Sequence, residues 1–207
     1  MPPFLNFIGK PAPAKGLNPN NFIITANLHH HLFEDELFQL EKLKDIPPLA
    51  LNTNNPLLLY PGSGSDILYP LFFLEHLINN LKQVTLVFID QNYHLRMIKS
   101  ILEDLGLSFS EENNFLNFYW KNLLVKLEFI VGNIFSLELP AFDIYFERKF
   151  AIFKEYHELY EANIFNNLNV GGIIISDYGF KKCKLEQIGC PKELSAYGEM
   201  IVGRKIT

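Results

Sequence analysis

The stretch LLLYPGSGSD, Leu57 to Asp66, decides the fold, because an apolar run turns there into a glycine-spaced bend. We expect the apolar run to be a buried strand and the residues after Asp66 to form an amphipathic helix. Glycine has no Cβ, so Gly62 and Gly64 let the backbone turn sharply and lie close to a ligand. A GxG pattern is a weak signal by itself and needs support from the rest of the chain.

A second buried strand, VTLVFID from Val84 to Asp90, supplies that support because it ends in a carboxylate. Two parallel strands need a crossover between them, so strand, glycine turn, helix and strand predict a βαβ unit. A carboxylate at the end of the second strand can accept both hydroxyl protons of a ribose. We therefore predict that Asp90 holds an adenosine-containing ligand, and the alternative is a solvated strand end.

The composition sets the class of protein. The chain has 207 residues, 48% hydrophobic and 14% aromatic, which predicts a globular domain with a sizeable core. The formal net charge of −5 provides no general attraction to nucleic-acid phosphates. No apolar run is as long as a membrane span, and the N-terminus lacks the order of a secretory signal, so we expect a cytoplasmic protein without a membrane partner. Cys183 and Cys190 are expected to be reduced and without a chemical role.

Residues 1–53 are predicted to form an N-terminal arm and a helical cap. Residues 1–20 are rich in proline and lack periodicity, which predicts an extended arm. Residues 27–44 carry leucines at helical spacing, and this helix is expected to lie across the open end of the sheet. It contains His29, His30 and His31, but consecutive helical positions diverge by about 100° and cannot converge on one metal ion. A solvated face is predicted for them, and the alternative is that one ring faces a substrate pocket.

The rest of the chain alternates strands and helices. Further strands are predicted at Leu123–Val131, Phe142–Phe146 and Gly171–Ser176, with helices at residues 95–105, capped by Gly106, and at residues 153–168. In the last helix, Tyr156, Leu159, Tyr160 and Ile164 are expected to face inward.

The final segments complete the predicted sheet. The runs LEQIGC and GEMIVGRKI predict a terminal antiparallel hairpin, and FLNFYW predicts an added hairpin before the third core strand. The order predicts an α/β three-layer sandwich with a mostly parallel seven-stranded sheet and a C-terminal antiparallel hairpin.

Over roughly residues 54–207 the chain resembles the class I S-adenosylmethionine-dependent methyltransferases. The resemblance is carried by the glycine turn after the first strand, the acid after the second and the closing hairpin, together with NVGGIIISD and MIVGRK. It implies a Rossmann-like methyltransferase domain at 54–207, S-adenosylmethionine as the cofactor, and a small molecule or a protein side chain as the methyl acceptor.

The resemblance also assigns residues to the cofactor. It implies that Gly62, Ser63 and Gly64 cradle the methionine portion and that Asp90 holds the ribose hydroxyls. Around the adenine it places Gln91, Gly132, Asn133 and Phe135, the last either stacked on the base or buried in the core.

Two departures concern the glycine turn. Tyr60 stands where the family commonly has an acid, and Asp66 replaces the third glycine. Both are kept among the residues expected at the cofactor, because the Asp66 carboxylate can reach the ammonium group of the methionine portion. The alternative for Asp66 is an ordinary helix cap.

A third departure lies at the end of the fourth strand. FERKF replaces the Asn/Asp-Pro-Pro-Tyr motif with which many family members hold an amino nitrogen, which disfavours nucleobase or glutamine N-methylation. Glu147 is then the candidate for contacting the acceptor, and its alternative is a surface ion pair with Arg148 or Lys149. Asp177 and Tyr178 are expected on the same rim.

Three functions follow from the sequence. The first is methyl transfer from S-adenosylmethionine, and the second is a catalytically inactive methyltransferase-like scaffold that binds a protein partner. A nicotinamide-dependent oxidoreductase is disfavoured, because GSGSD lacks the third glycine of GxGxxG.

Overall fold

The computed structural model describes residues 16–207, which are built around one nine-stranded sheet. The strands are β1 (Leu57–Pro61), β2 (Gln83–Asp90), β3 (Phe109–Glu112), β4 (Phe115–Trp120), β5 (Leu123–Val131), β6 (Phe142–Glu147), β7 (Leu168–Ser176), β8 (Leu185–Ile188) and β9 (Ile201–Lys205). Their order across the sheet is β3-β4-β5-β2-β1-β6-β7-β9-β8. Most of the predicted proline-rich arm lies outside the described residues.

The sheet has a parallel centre and antiparallel edges. β5, β2, β1, β6 and β7 pair in parallel, whereas β3–β4, β4–β5, β7–β9 and β8–β9 pair antiparallel. The predicted α/β class and the closing hairpin are confirmed. The sheet has nine strands instead of seven, because FLNFYW (β4) pairs with β5 and brings β3 to the sheet with it.

Helices cover both faces of the sheet. They are α1 (Glu34–Glu41), α2 (Leu68–Leu77), α3 (Leu95–Asp104), α4 (Ala151–Glu155) and α5 (Tyr160–Asn167). Neighbouring residues of β1, Leu58 and Leu59, belong to two separate buried clusters, because side chains alternate across a strand. The first cluster includes side chains of α1, α2 and α3, and the second includes side chains of α5. Within residues 16–207, no helix has the length and apolar character needed to cross a bilayer.

The predicted helix over residues 27–44 is interrupted. A 3₁₀ turn covers Thr25–His30, and α1 begins only after Phe33, whose backbone is extended. The Glu36 side chain accepts the Phe33 backbone N–H at 3.1 Å, which caps a new helix start. We call residues 25–46 the cap.

The predicted helix over residues 153–168 is also divided, into α4 and α5. Tyr156 and Leu159, expected to face inward, are 81% and 72% exposed, whereas Tyr160 and Ile164 are buried as predicted. In one continuous helix Lys154 and Tyr160 would point about 120° apart. The break lets both side chains point into the sheet, where Lys154 meets Glu147 and Tyr160 meets Tyr145.

Gly106 ends α3 in the left-handed conformation that the sequence predicts, with φ of +76°. Its N–H donates to the Glu103 carbonyl at 3.0 Å, and the Leu107 N–H donates to the Leu102 carbonyl at 2.8 Å. These are the two hydrogen bonds of a Schellman motif, so the glycine closes the helix end.

We expect Gly106→Ala to lower the free energy of unfolding by about 1–2 kcal/mol, because an L-residue is strained in this conformation. A Cβ at Gly106 would also lie 3.0 Å from the Ile24 side chain. Gly189→Ala is the control, since its Cβ would meet nothing within 4 Å. Urea unfolding of both variants measures the difference, and equal losses would contradict the assigned helix cap.

Candidate active site

The turn after β1 and the end of β2 lie side by side at the carboxyl edge of the sheet. Gly62 and Gly64 both have left-handed backbones, with φ of +60° and +53°. The Gly62 N–H donates to the Ile89 carbonyl at 2.8 Å, and the Gly64 N–H donates to Asp90 Oδ2 at 3.0 Å. The structure thus brings the predicted glycine turn and the predicted acid into direct contact.

The Asp90 carboxylate is oriented by backbone donors on both of its oxygens. Besides the bond from Gly64, Oδ1 accepts the Asn92 N–H at 2.9 Å and lies 3.6 Å from Nε2 of His94. A carboxylate oxygen has two lone pairs, so each oxygen can still accept a hydrogen bond from a ligand.

A cavity of about 270 Å³, which we call the Asp90 cavity, lies next to this carboxylate. The predicted residues that line it are Gly62, Asp90, Gln91, Gly132, Asn133 and Phe135. They come from the ends of β1, β2 and β5, which are neighbours in the sheet. Ligands of open parallel sheets bind at this edge.

Aromatic side chains form one wall of the Asp90 cavity, and among them the sequence singled out only Phe135. Phe150 is buried, and its ring covers Gly62 so closely that a Cβ there would lie 2.7 Å from Cδ2 of Phe150. Phe135 stacks on Phe150 with 5.8 Å between ring centroids, and on His157 with 3.6 Å. No sequence pattern marks Phe150, because its contact with Gly62 exists only once β6 lies beside β1.

A second cavity, of about 550 Å³, lies on the other side of the glycine turn and beneath the cap; we call it the cap cavity. Ser63 and Asp66, predicted at the cofactor together with Gly62, line this cavity. The turn therefore separates two cavities instead of contributing all its residues to one.

Tyr60 and Asp66, the two unusual residues of the turn, form a pair. The Tyr60 hydroxyl donates to Oδ2 of Asp66 at 2.8 Å, and its ring packs edge-on against Phe88 and Phe146 in the core. Asp66 Oδ1 accepts the Tyr69 N–H at 3.3 Å in the first turn of α2, which is a capping interaction. Burial raises the pKa of Asp66, and burial together with Asp66 raises the pKa of Tyr60.

Glu147 is 1% exposed, so the predicted alternative of a surface ion pair with Arg148 or Lys149 is wrong. Its carboxylate pairs with Lys154 and accepts the Tyr145 hydroxyl, which is 2.9 Å from the Tyr160 hydroxyl. Burial raises the pKa of Glu147, although Lys154 opposes the rise. Side chains alternate along β6, so Glu147 points to the face of α4 and α5.

Arg148, next in the chain, ties the cap to the sheet. Its guanidinium donates to Glu36 Oε1 at 2.8 Å and to the Tyr69 hydroxyl at 2.6 Å, and it stacks 3.4 Å over the Tyr69 ring. Burial acts to raise the pKa of Glu36, but the hydrogen bonds from Arg148 and from the Phe33 N–H lower it overall. The cap is thus held at the carboxyl edge of the sheet.

Asp177 and Tyr178, expected on the same rim, have structural partners. Asp177 is buried and accepts the Lys149 N–H at 2.8 Å, and burial raises its pKa. The Tyr178 carbonyl accepts from Lys154.

The three histidines of the cap behave differently from one another. His29 and His30 are exposed, as predicted for a solvated face, whereas His31 is partly buried. His30 Nδ1 and His31 Nε2 lie 2.9 Å and 3.1 Å from Asp104 Oδ2, and both rings line the cap cavity. The described residues 16–207 contain no cluster of three or more His, Cys, Asp or Glu arranged for a metal ion.

Comparison with solved structures places this fold. The O-methyltransferase family 2 protein from Planctomyces limnophilus DSM 3776, solved in complex with apigenin, superposes with a TM-score of 0.51 at 16% identity, over 88% of this chain and 65% of that one. The fold is that of the class I S-adenosylmethionine-dependent methyltransferases.

Two further solved structures are more distant. MnmC2 from Aquifex aeolicus gives a TM-score of 0.45 at 17% identity, over 84% of this chain and 59% of that one. PKMT2 from Rickettsia typhi, in complex with AdoHcy, gives a TM-score of 0.39 at 17% identity, over 69% of this chain and 24% of that one. This chain therefore spans less than two thirds of the length of each of these proteins. No family model and no curated protein matches the sequence.

The methyltransferase fold raises the question of whether this site fits the cofactor. The Asp90 cavity fits the nucleoside half, since it combines an oriented carboxylate with lone pairs to spare and an aromatic ring, Phe135. The space over Gly62 fits the cofactor only when the Phe150 ring turns away, because that ring lies directly against the glycine.

Proposed function

We propose that the chain binds S-adenosylmethionine in the Asp90 cavity and uses it for methyl transfer to a small-molecule or protein acceptor. The observation that carries the proposal is the hydrogen bond from the Gly64 N–H to Asp90 Oδ2, which joins the glycine turn to the acid of the neighbouring strand. This hydrogen bond orients the Asp90 carboxylate beside a cavity of nucleoside size. The methyltransferase fold of the chain supports the same reaction.

The residues of the chain have defined tasks in this proposal. The cofactor supplies a methyl group that its sulfonium has already activated. Asp90 accepts hydrogen bonds from the ribose hydroxyls, while Gln91, Gly132 and Asn133 surround the base. Positioning then supplies most of the rate, so a catalytic triad is not required.

A second candidate, the inactive scaffold, is favoured by one specific observation: the contact between Phe150 and Gly62. If the stack of Phe135, Phe150 and His157 is permanent, the cofactor has no room over the turn. The chain would then act by binding a protein, and exposed aromatic residues such as Phe153 and Tyr156 would supply the contact.

Titration calorimetry with S-adenosylmethionine separates the two candidates. We expect the wild-type chain to bind and Phe150→Ala to bind about tenfold more tightly, because the variant no longer has to expose a buried phenylalanine. Phe153→Ala is the matched control: Phe153 also lines the Asp90 cavity but is 59% exposed, so its removal should change the affinity little.

Circular dichroism would first show that each variant is folded. Absence of binding at millimolar cofactor, in the wild type and in folded Phe150→Ala alike, would reject the methyltransferase proposal and leave the scaffold.

A further inference from the structure

The charged groups Arg148, Glu36 and Asp66 of the cap cavity already have hydrogen-bond partners within the protein. Arg148 is bonded to Glu36 and to the Tyr69 hydroxyl. Asp66 accepts from Tyr60 and from the Tyr69 backbone. Arg148 already has an ionic partner and both Asp66 oxygens already accept hydrogen bonds, so an uncharged ligand fits these groups without competing for them.

One hydroxyl in the cap cavity lacks a partner. Ser63 is 2% exposed, and its Oγ makes no hydrogen bond to any of residues 16–207. A buried hydroxyl without a partner is costly and is rare in native proteins. Since Ser63 lines the cavity, a ligand that exchanges a hydrogen bond with its Oγ would remove that cost.

The imidazoles of His30 and His31 line the cap side of this cavity. Asp104 accepts from Nδ1 of His30 and from Nε2 of His31, and a neutral imidazole that donates from one nitrogen accepts at the other. The remaining nitrogens, Nε2 of His30 and Nδ1 of His31, are therefore suited to accept a hydrogen bond from a ligand O–H.

Apolar side chains also line the cavity. Ile67, Leu68 and Met97, from the start of α2 and from α3, line it. We propose that the cap cavity binds a neutral hydroxylated compound with an apolar body, whose hydroxyl donates to His30 or His31 and which satisfies Ser63 Oγ. This proposal rests on the proposed function, in which the compound is the methyl acceptor.

The first test uses phenol as the probe, with benzoate and benzylamine as charged compounds built on the same ring. Long-range ¹H–¹⁵N NMR of protein labelled at histidine reports the tautomer of each ring. Without any ligand, we expect His30 to carry its proton on Nδ1 and His31 on Nε2. Phenol should shift the ¹⁵N signals of one or both of these rings and leave the signals of His29 unchanged. Benzoate and benzylamine should have little effect on any of them. Equal effects of the three compounds, or equal shifts at His29, would overturn the proposal.

The second test removes the unpartnered hydroxyl. Ser63→Ala should weaken phenol binding about fivefold, whereas Ser110→Ala, on β3 and remote from the cavity, should not change it. Unchanged affinity in Ser63→Ala would count against the site.

S-adenosylhomocysteine should not displace phenol, and full displacement would assign the cavity to the cofactor instead. If phenol binds but calorimetry detects no S-adenosylmethionine binding, the proposed function fails while the hydroxyl-ligand site stands.

Discussion

Asp90→Asn is expected to weaken S-adenosylmethionine binding by about 10- to 100-fold. Hydrogen bonds to a charged acceptor contribute about 1.5–3 kcal/mol, and the amide replaces one acceptor oxygen by a donor and removes the charge. The amide would also meet the Gly64 N–H with a donor or turn its oxygen away from the ligand. Titration calorimetry on the folded variant measures the loss.

Asp143→Asn is the matched control for this variant. Asp143 also accepts a backbone N–H, from Leu57 at 2.9 Å, and a side-chain N–H, from Asn169 at 2.8 Å. It lies at the start of β6, at the opposite end of the sheet from the Asp90 cavity. The control should lose some stability and keep its affinity for the cofactor. If both variants bind as well as the wild type, Asp90 does not hold the ribose.

Lys154→Met is expected to lower the free energy of unfolding by about 3–5 kcal/mol, a large share of the total for a domain of this size. The variant leaves the buried Glu147 carboxylate without its cation, while Tyr145 still donates to it. A second change, Glu147→Gln, should restore part of the loss, because no buried charge then remains unpaired. Urea unfolding of the single and double variants measures both effects.

An exposed ion pair provides the control for Lys154. Lys181 pairs with Glu199 at 2.8 Å, but its side chain is 64% exposed. Exposed pairs contribute little, so Lys181→Met should leave the unfolding midpoint nearly unchanged. Similar losses in the two lysine variants, or no recovery in the double variant, would show that the buried pair does not hold α4 to the sheet.

The buried lysine also bears on the candidate active site. Phe150 is the N-cap of α4, and Lys154 anchors that short helix to Glu147 at the end of β6. The position of the Phe150 ring over Gly62 therefore depends on this ion pair. We expect the Lys154→Met variant to loosen the aromatic stack, which links the stability of the fold to access to the Asp90 cavity.

Local patterns predicted much of the parallel core. Alternating and continuous apolar runs identified β1, β2, β5, β6 and most of β7, because each strand has its own hydrophobic pattern. Gly106 also predicted the end of α3, since a left-handed cap is a property of one residue and its immediate neighbours. The breaks in the two interrupted helices were missed, because they depend on the contacts of Lys154 and Tyr160 with β6 and on the cap formed by Glu36.

By itself, the sequence determined the succession of strands and helices along the chain and the βαβ unit that brings the glycine turn next to Asp90, since both follow from hydrophobic period and chain order. Only the tertiary structure decided that Phe150 covers Gly62, that Glu147 pairs with Lys154, and that His30 and His31 share Asp104. The first and third of these contacts join segments far apart in the chain, while Glu147 and Lys154, seven residues apart, meet through the packing of α4 against β6. Side-chain pairing of either kind has no periodic signal. The chemistry of both cavities depends on those long-range contacts.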